Sequence, residues 1–292
     1  MKTIGDELHK FTNAFAIPKL KTGQPTILDM CMAPGGFLAT ALSKNPGASA
    51  LAFSLPISSG GHKALLPRHP NVKKYFLDIT MLAADLDVGD IPNGHPDANN
   101  FLPRYFSKDQ LFDLALCDGQ VLRTHDRASY REKREARRLA VTQLALSLEH
   151  LRPGGTVIVL LHKVEAPGTV NLLWMFHKFS SVRVFKPKKG HAKRSSFYMI
   201  ATSVQSQHPA AIQAVADWKM IWKLATFASD ADYHKAIGMS DGDIAELLEG
   251  FGSEIVNLGE SVWSCQADAL ENASFIQKRD SRIESSSGIV EI

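Results

Sequence analysis

The sequence predicts an α/β fold with a mostly parallel sheet, and three observations carry that expectation. Seven short apolar segments, rich in β-branched or aromatic residues, recur over the first 204 residues. Helix-like stretches separate several of them, the order expected of βαβ units. One segment ends in a glycine-rich turn that opens a helix, the position at which open α/β sheets bind ligands.

Taken in order, strands are predicted over 26–30, 48–55, 72–77, 112–117, 156–161, 181–185 and 197–204, each bounded by Gly, Pro, Asn or Lys. Helices are predicted over 36–42, 129–150 and 169–178. Only a basic loop separates the last two strands, which predicts an antiparallel hairpin at the sheet edge. Residues 85–110, with Gly89, Pro92, Asn93, Gly94 and Pro96, read as a loop insert. Beyond about residue 205 the pattern turns helical, over 208–228, 241–251 and 260–275, with Trp218, Trp222 and Trp263 as core anchors. The chain thus divides into 1–204, a helical extension over 205–278, and a Ser-rich tail over 279–292 expected to be disordered.

Composition sets bounds on function. With 45% apolar residues in 292, a sizeable core is available. The net charge of +3 is too small to argue for nucleic acid, so such an argument rests on where the charges sit. Cys31, Cys117 and Cys265 form no paired spacing, which disfavours a zinc site or a disulfide framework and fits a reducing compartment. The N-terminus shows neither a signal nor a transit pattern, and no run approaches 18 apolar residues. An intracellular protein, cytoplasmic or nuclear and not secreted, is expected, with no metal.

The sharpest local signal is Ile27-Leu28-Asp29-Met30-Cys31-Met32-Ala33-Pro34-Gly35-Gly36-Phe37. Glycines let backbone approach a ligand, and the helix that follows offers unpaired N–H groups. The segment lacks both GxGxxG and GK[ST], so neither NAD nor ATP is favoured. Leu28-Asp29 followed by Ala33-Pro34-Gly35-Gly36-Phe37 resembles the first motif of the FtsJ-like RNA ribose 2′-O-methyltransferases. The resemblance implies a Rossmann-like class I methyltransferase fold with a seven-stranded sheet and S-adenosyl-L-methionine as cofactor. It also implies that Asp29, Ala33, Pro34, Gly35, Gly36 and Phe37 line the methionine pocket, and that Asp78, in Phe76-Leu77-Asp78-Ile79, meets the adenine. One departure stands at the second strand's end, where Ser54 replaces the acid that often holds the ribose.

The family's catalytic Lys-Asp-Lys-Glu tetrad is matched in three places. Leu114-Ala115-Leu116-Cys117-Asp118-Gly119 resembles the strand bearing the aspartate, which would also border the cofactor. The run from Pro153-Gly154-Gly155 to His162-Lys163 resembles the strand delivering the central lysine. Lys10 stands where the first lysine is expected, with Lys19 and Lys21 as weaker candidates. A ribose hydroxyl must lose its proton as it attacks, and a lysine depressed by burial and a neighbouring cation suits that task; the resemblance makes Lys163 the base and Asp118 its orienting group. A lone strand-end Asp or Lys is ordinarily a solvated rim charge, but their joint order after the glycine turn argues otherwise. The fourth place departs: Ser196 stands where the family has Glu. Slower catalysis, substitution by Glu165, or loss of activity all remain open.

Lys186-Pro187-Lys188-Lys189-Gly190-His191-Ala192-Lys193-Arg194 carries five Lys/Arg without an acid and leads into the last strand. Lys186, Lys188, Lys189, Lys193 and Arg194 are therefore candidate phosphate contacts for RNA. Arg131-Glu132-Lys133-Arg134-Glu135-Ala136-Arg137-Arg138 reads equally as a binding patch or a salt-bridged helix face. Two other functions stay in view: methylation of a small molecule, signalled by an enclosed apolar pocket beside Asp118, and a non-catalytic RNA- or partner-binding protein. The C-terminal helices are candidates for a lid, a dimer contact or a partner surface.

Overall fold

The computed structural model describes residues 1–18 and 23–273. Lys19, Lys21, the end of the extension and the tail over 279–292 lie outside the described residues. A seven-stranded sheet in the order β3-β2-β1-β4-β5-β7-β6 forms the centre. Its strands are β1 (Thr26–Asp29), β2 (Ser49–Ser54), β3 (Val72–Phe76), β4 (Phe112–Cys117), β5 (Leu151–His162), β6 (Ser181–Phe185) and β7 (Ser196–Val204). All neighbours pair in parallel except β7, which runs antiparallel between β5 and β6. The expected hairpin is therefore present, with β6 on the edge and β7 inserted one place inward.

Three connections are helical: α2 (Gly36–Lys44) between β1 and β2, α3 (Glu135–Glu149) between β4 and β5, and α4 (Pro167–His177) between β5 and β6. The connections on either side of β3 hold only short 3-10 turns among otherwise irregular chain. Strand alternation sorts side chains to two cores. Leu28, Ala115 and Val159 face α3 and α4, whereas Ile27, Leu114, Leu116 and Ile158 face α2 and the N-terminal helix α1 (Lys2–Thr12). Ile4 and Leu8, one helical turn apart, are buried on that second face.

The extension forms α5 (Pro209–Phe227), α6 (Asp230–Ile237) and α7 (Asp241–Glu271). The two helices expected over 241–251 and 260–275 are one 31-residue helix, begun by a capping box between Ser240 and Asp243. The gap between the two expected helices holds Gly252 and Gly259, yet a single glycine in a helix costs only about 1 kcal/mol and packing overrides it. Gly259 leaves room for the Trp263 ring, which a Cβ would meet at 2.5 Å. Trp263 is not the core anchor expected: it is 37% exposed and donates its indole N–H to Glu165 at 3.2 Å. Trp218 and Trp222 are buried in the same core as α3. The 85–110 insert has no helix or strand, but it is packed, with Phe101 and His95 edged against Trp222 and Phe227.

Candidate functional site

The carboxyl ends of β1, β2, β3 and β4 converge on a cavity of about 260 Å³. Its lining includes Ala33, Pro34, Gly36 and Phe37 from the first turn, Ser54 from β2, Asp78 after β3, and Asp118 and Gly119 after β4. Gly35 caps α2 at φ 106°, a conformation that favours glycine, and a Cβ there would lie 2.8 Å from Cβ of Leu66. That contact arises because the 62–66 loop packs on the turn, with the Leu65 N–H donating to the Pro34 carbonyl at 2.8 Å. Gly119 admits the β1 turn beside it: a Cβ would lie 2.2 Å from Cys31 Sγ.

Two carboxylates stand at the ends of β1 and β4, Asp29 beneath the cavity and Asp118 on its wall. Asp29, 1% exposed, accepts a hydrogen bond from the Cys31 N–H at 3.2 Å and so shapes the turn rather than lining the cavity. Burial, and then the nearby Asp118, hold its pKa well above the ordinary value. Burial also pushes Asp118 up to about 7. Asp118 is reached from the cavity but otherwise walled by protein, which is why it is both solvent-accessible and desolvated.

Asp78 differs. Burial would raise it, but hydrogen bonding from His125, the Arg131 guanidinium and Thr80 together hold it below the ordinary carboxylate range. Thr80 donates both its N–H and its hydroxyl, at 3.0 and 2.8 Å, and Arg131 Nη1 lies 3.1 Å away. Asp78, His125 and Glu135 place ligand atoms within 4.8 Å of one another, the spacing of a metal site. Arg131 already supplies the cation there, since Nη1 donates to Asp78, Thr80 and Glu135.

Half of the second basic stretch is thus an internal network, while Glu132, Lys133 and Arg137 stay exposed. Arg131, Arg134, Glu135 and Arg138 are at most 6% exposed. Glu135 bridges Arg131 at 3.1 Å and Arg138 at 2.7 Å, and Arg138 reaches the Thr80 carbonyl and the Thr226 hydroxyl, each at 3.0 Å. Trp222 of α5 donates to the same Thr80 carbonyl at 3.0 Å. The extension therefore ties into the residue that holds Asp78. Spacings of three and four residues (Arg131, Glu135, Arg138) were the only sequence signal for this.

The expected catalytic lysines are not brought together. Among the described residues no lysine lines the cavity. Lys163 is exposed, one residue past β5 at φ 51°, and Lys10 is exposed on α1. The β5 side chain that lines the cavity is Leu160. Glu165, offered in place of the family Glu, bonds Trp263 instead. Ser196 is buried, with its hydroxyl 3.4 Å from Nδ1 of His191. His191 itself lines the cavity, as do His62 and His125; sequence reasoning missed all three because loop histidines carry no periodic signature. Burial, with Arg194 and Lys186 adding to it, lowers the pKa of His191.

Around His191, Lys188, Lys189, Lys193 and Arg194 are exposed. Lys186 is not a phosphate contact: it is buried and ties the loop by donating to the carbonyls of Arg194 and, at 2.8 Å, Ser196. Among the described residues, no helix is long and apolar enough to cross a membrane.

The strand order, the reversed β7 and a glycine-turn cavity at the strand ends define a class I S-adenosylmethionine-dependent methyltransferase. Residues 7–204 match the family model of the FtsJ-like methyltransferases, and the chain belongs to that family. S-Adenosylmethionine is its cofactor. No curated protein sequence matches the chain. Similar solved structures include human methyltransferase-like protein 13 in complex with SAH, 13% identical, covering 80% of this chain and 96% of that one with a TM-score of 0.41. The N-methyltransferase NodS of Bradyrhizobium japonicum is 13% identical over 68% of this chain and 96% of its own, with a TM-score of 0.41. An rRNA methylase of Streptococcus thermophilus is 11% identical over 68% and 95%, with a TM-score of 0.36.

Proposed function

We propose that the chain transfers the methyl group to a ribose 2′-hydroxyl of RNA at the mouth of the 260 Å³ cavity. The observation that carries this reading is the 186–194 loop. Its exposed Lys188, Lys189, Lys193 and Arg194 surround His191, which reaches into the cavity, so phosphate contacts and reacting groups belong to one site.

In this reading the Ala33–Phe37 turn, with Gly35 capping α2, holds the methionine part of the cofactor. With glycine at the cap, no side chain occupies the N–H groups that open α2, which suits the cofactor's carboxylate. Ser54 offers the ribose one hydrogen bond, and Asp78, fixed by Thr80 and Arg131, accepts from the adenine amino group. Asp29 shapes the turn from below. When bound, S-adenosylmethionine supplies an electrophilic methyl on a cationic sulfur. Asp118 faces that end of the cavity and orients the acceptor hydroxyl, and His191, kept neutral by burial, takes its proton. Lys163 and Lys10 stand outside the cavity and are not needed for this step. The test is methylation of an RNA transcript with labelled cofactor, followed by digestion to nucleosides. Label in 2′-O-methylnucleosides is expected; label confined to bases would overturn the proposal.

A second reading is favoured by a second cavity, of about 210 Å³, beside Asp118. It shares Gly119, Gln120, Leu139 and Leu160 with the first and is otherwise lined mainly by apolar side chains such as Val121, Leu144 and Val159. A small uncharged aromatic alcohol suits it. Transfer to such compounds in the absence of any RNA transfer would select this alternative.

A further inference from the structure

No Asp or Glu occurs between Asp29 and Asp78, although at the chain's average of 30 acids in 292 residues about five would fall in those 48 positions. The same segment carries Lys44, Lys63, Arg68, Lys73 and Lys74, with His62 and His69. Its basic residues concentrate in the connection from β2 to β3 and in β3 itself. That connection begins at the site already described: Gly61 and His62 line the cofactor cavity, and Leu65 is bonded to Pro34 of the cofactor turn. From there the chain passes exposed Lys63 and reaches an open groove of about 390 Å³ lined by Arg68, His69, Pro70, Val72 and Lys74.

The groove is built rather than incidental. Lys74 Nζ donates to the carbonyls of Leu66 at 2.7 Å and Pro67 at 3.0 Å, which fixes the chain that carries Arg68. An ammonium has three hydrogens, so one still points elsewhere. Edge strands often carry lysine to discourage pairing with other strands, and β3 is an edge. That role accounts for Lys73 and Lys74 but not for Lys63 and Arg68, which lie in the loop.

Resting on the RNA reading above, we infer that the β2–β3 connection is a second phosphate-binding surface, over which a single-stranded stretch of the RNA leaves the cavity. The 186–194 loop would hold the strand at the cavity mouth, and Lys63, Arg68 and Lys74 would hold its continuation. Each phosphate neutralised on single-stranded nucleic acid contributes about 0.7 to the slope of log K against log salt.

The experiment is filter binding of a labelled single-stranded RNA to the full chain across a series of KCl concentrations. The double variant Lys63→Ala/Arg68→Ala is expected to lower the slope by roughly 1.4, two contacts' worth. Lys63→Arg should keep the wild-type slope. Lys73→Ala should also keep it, because alternation along β3 places Lys73 opposite the groove, near the Tyr75 ring at 4.9 Å. Calorimetric binding of S-adenosylhomocysteine, expected unchanged, reports that the double variant is folded. An unchanged slope in a folded double variant overturns the second surface, as does an equal drop in Lys73→Ala, which would mean only a diffuse charge effect. Failure of the unaltered chain to bind RNA at all would instead remove the reading on which the inference rests.

Discussion

Replacing Glu135 with Leu tests whether the buried charge network holds the catalytic core to the extension. Glu135 is fully buried, and its two oxygens serve Arg131 at 3.1 Å, Thr80 at 3.0 Å and Arg138 at 2.7 Å. Arg131 keeps Asp78 and Asp97 as carboxylate partners when Glu135 is lost. Arg138, also fully buried, keeps uncharged partners: the Thr226 and Thr80 hydroxyls, the Thr80 carbonyl and the Trp222 ring. Removing one member of a buried pair costs about 3–5 kcal/mol, because the other charge is left uncompensated. Against a total stability of about 5–15 kcal/mol, that is a large fraction. Replacing both partners with apolar residues of similar volume, as in Glu135→Leu/Arg138→Met, should recover most of the loss. Urea denaturation at pH 7, followed by tryptophan fluorescence, measures the unaltered chain, both single variants and the double variant. A single-variant cost below about 1 kcal/mol, or a double variant as unstable as the sum of its singles, would refute the reasoning.

Four further outcomes are expected. Asp118 sits at about 7 in the cofactor-free protein, so it is largely protonated below that pH, and a cationic ligand favours its ionised form. Affinity for S-adenosylmethionine should therefore weaken below pH 7, by up to about tenfold per unit, and level off above it. S-Adenosylhomocysteine, with a neutral sulfur, should show a flatter calorimetric profile, and equal profiles would remove Asp118 from the sulfonium's vicinity. Gly35→Arg should abolish cofactor binding in the same calorimeter, since φ 106° and the Leu66 contact leave no room for a side chain. His191→Ala should reduce methyl transfer at least a hundredfold, the lower end of typical acid–base contributions, while Lys163→Ala stays within about threefold. Single-turnover rates decide between the two, and the reverse pattern would restore the lysine as base. Trp222→Phe keeps an aromatic ring but removes the N–H that reaches Thr80 and shrinks a fully buried side chain, so it should cost at least about 1 kcal/mol in urea and weaken cofactor binding. Unaltered binding would mean that the extension does not act through Thr80.

The sequence by itself determined the sheet and the cofactor turn. Strand segments of alternating or continuous apolar residues, such as 26–30 and 112–117, carry their own period and bury wherever a core forms. The turn from Asp29 to Phe37 was equally legible, because a glycine-rich strand-to-helix junction is a local chemical object and every residue in it is a neighbour in sequence. Element lengths in the extension were less legible: Gly252 and Gly259 fall between the two helices expected over 241–251 and 260–275, and the packing of Leu247, Phe251, Ile255 and Val262 against the domain carries α7 through them. The tertiary structure alone decided which charges are internal. Arg131, Arg134 and Arg138 look like a solvent-facing or RNA-facing stripe until Asp78, Asp97, Trp222, Thr226 and Asp230 close around them from positions up to 96 residues away. It likewise decided the proton-handling groups. A lysine close to the end of β5 satisfies a motif read along the chain, but a side chain enters a cavity only if its position on the strand faces it. Leu160 has that position and Lys163, beyond the strand's end, does not.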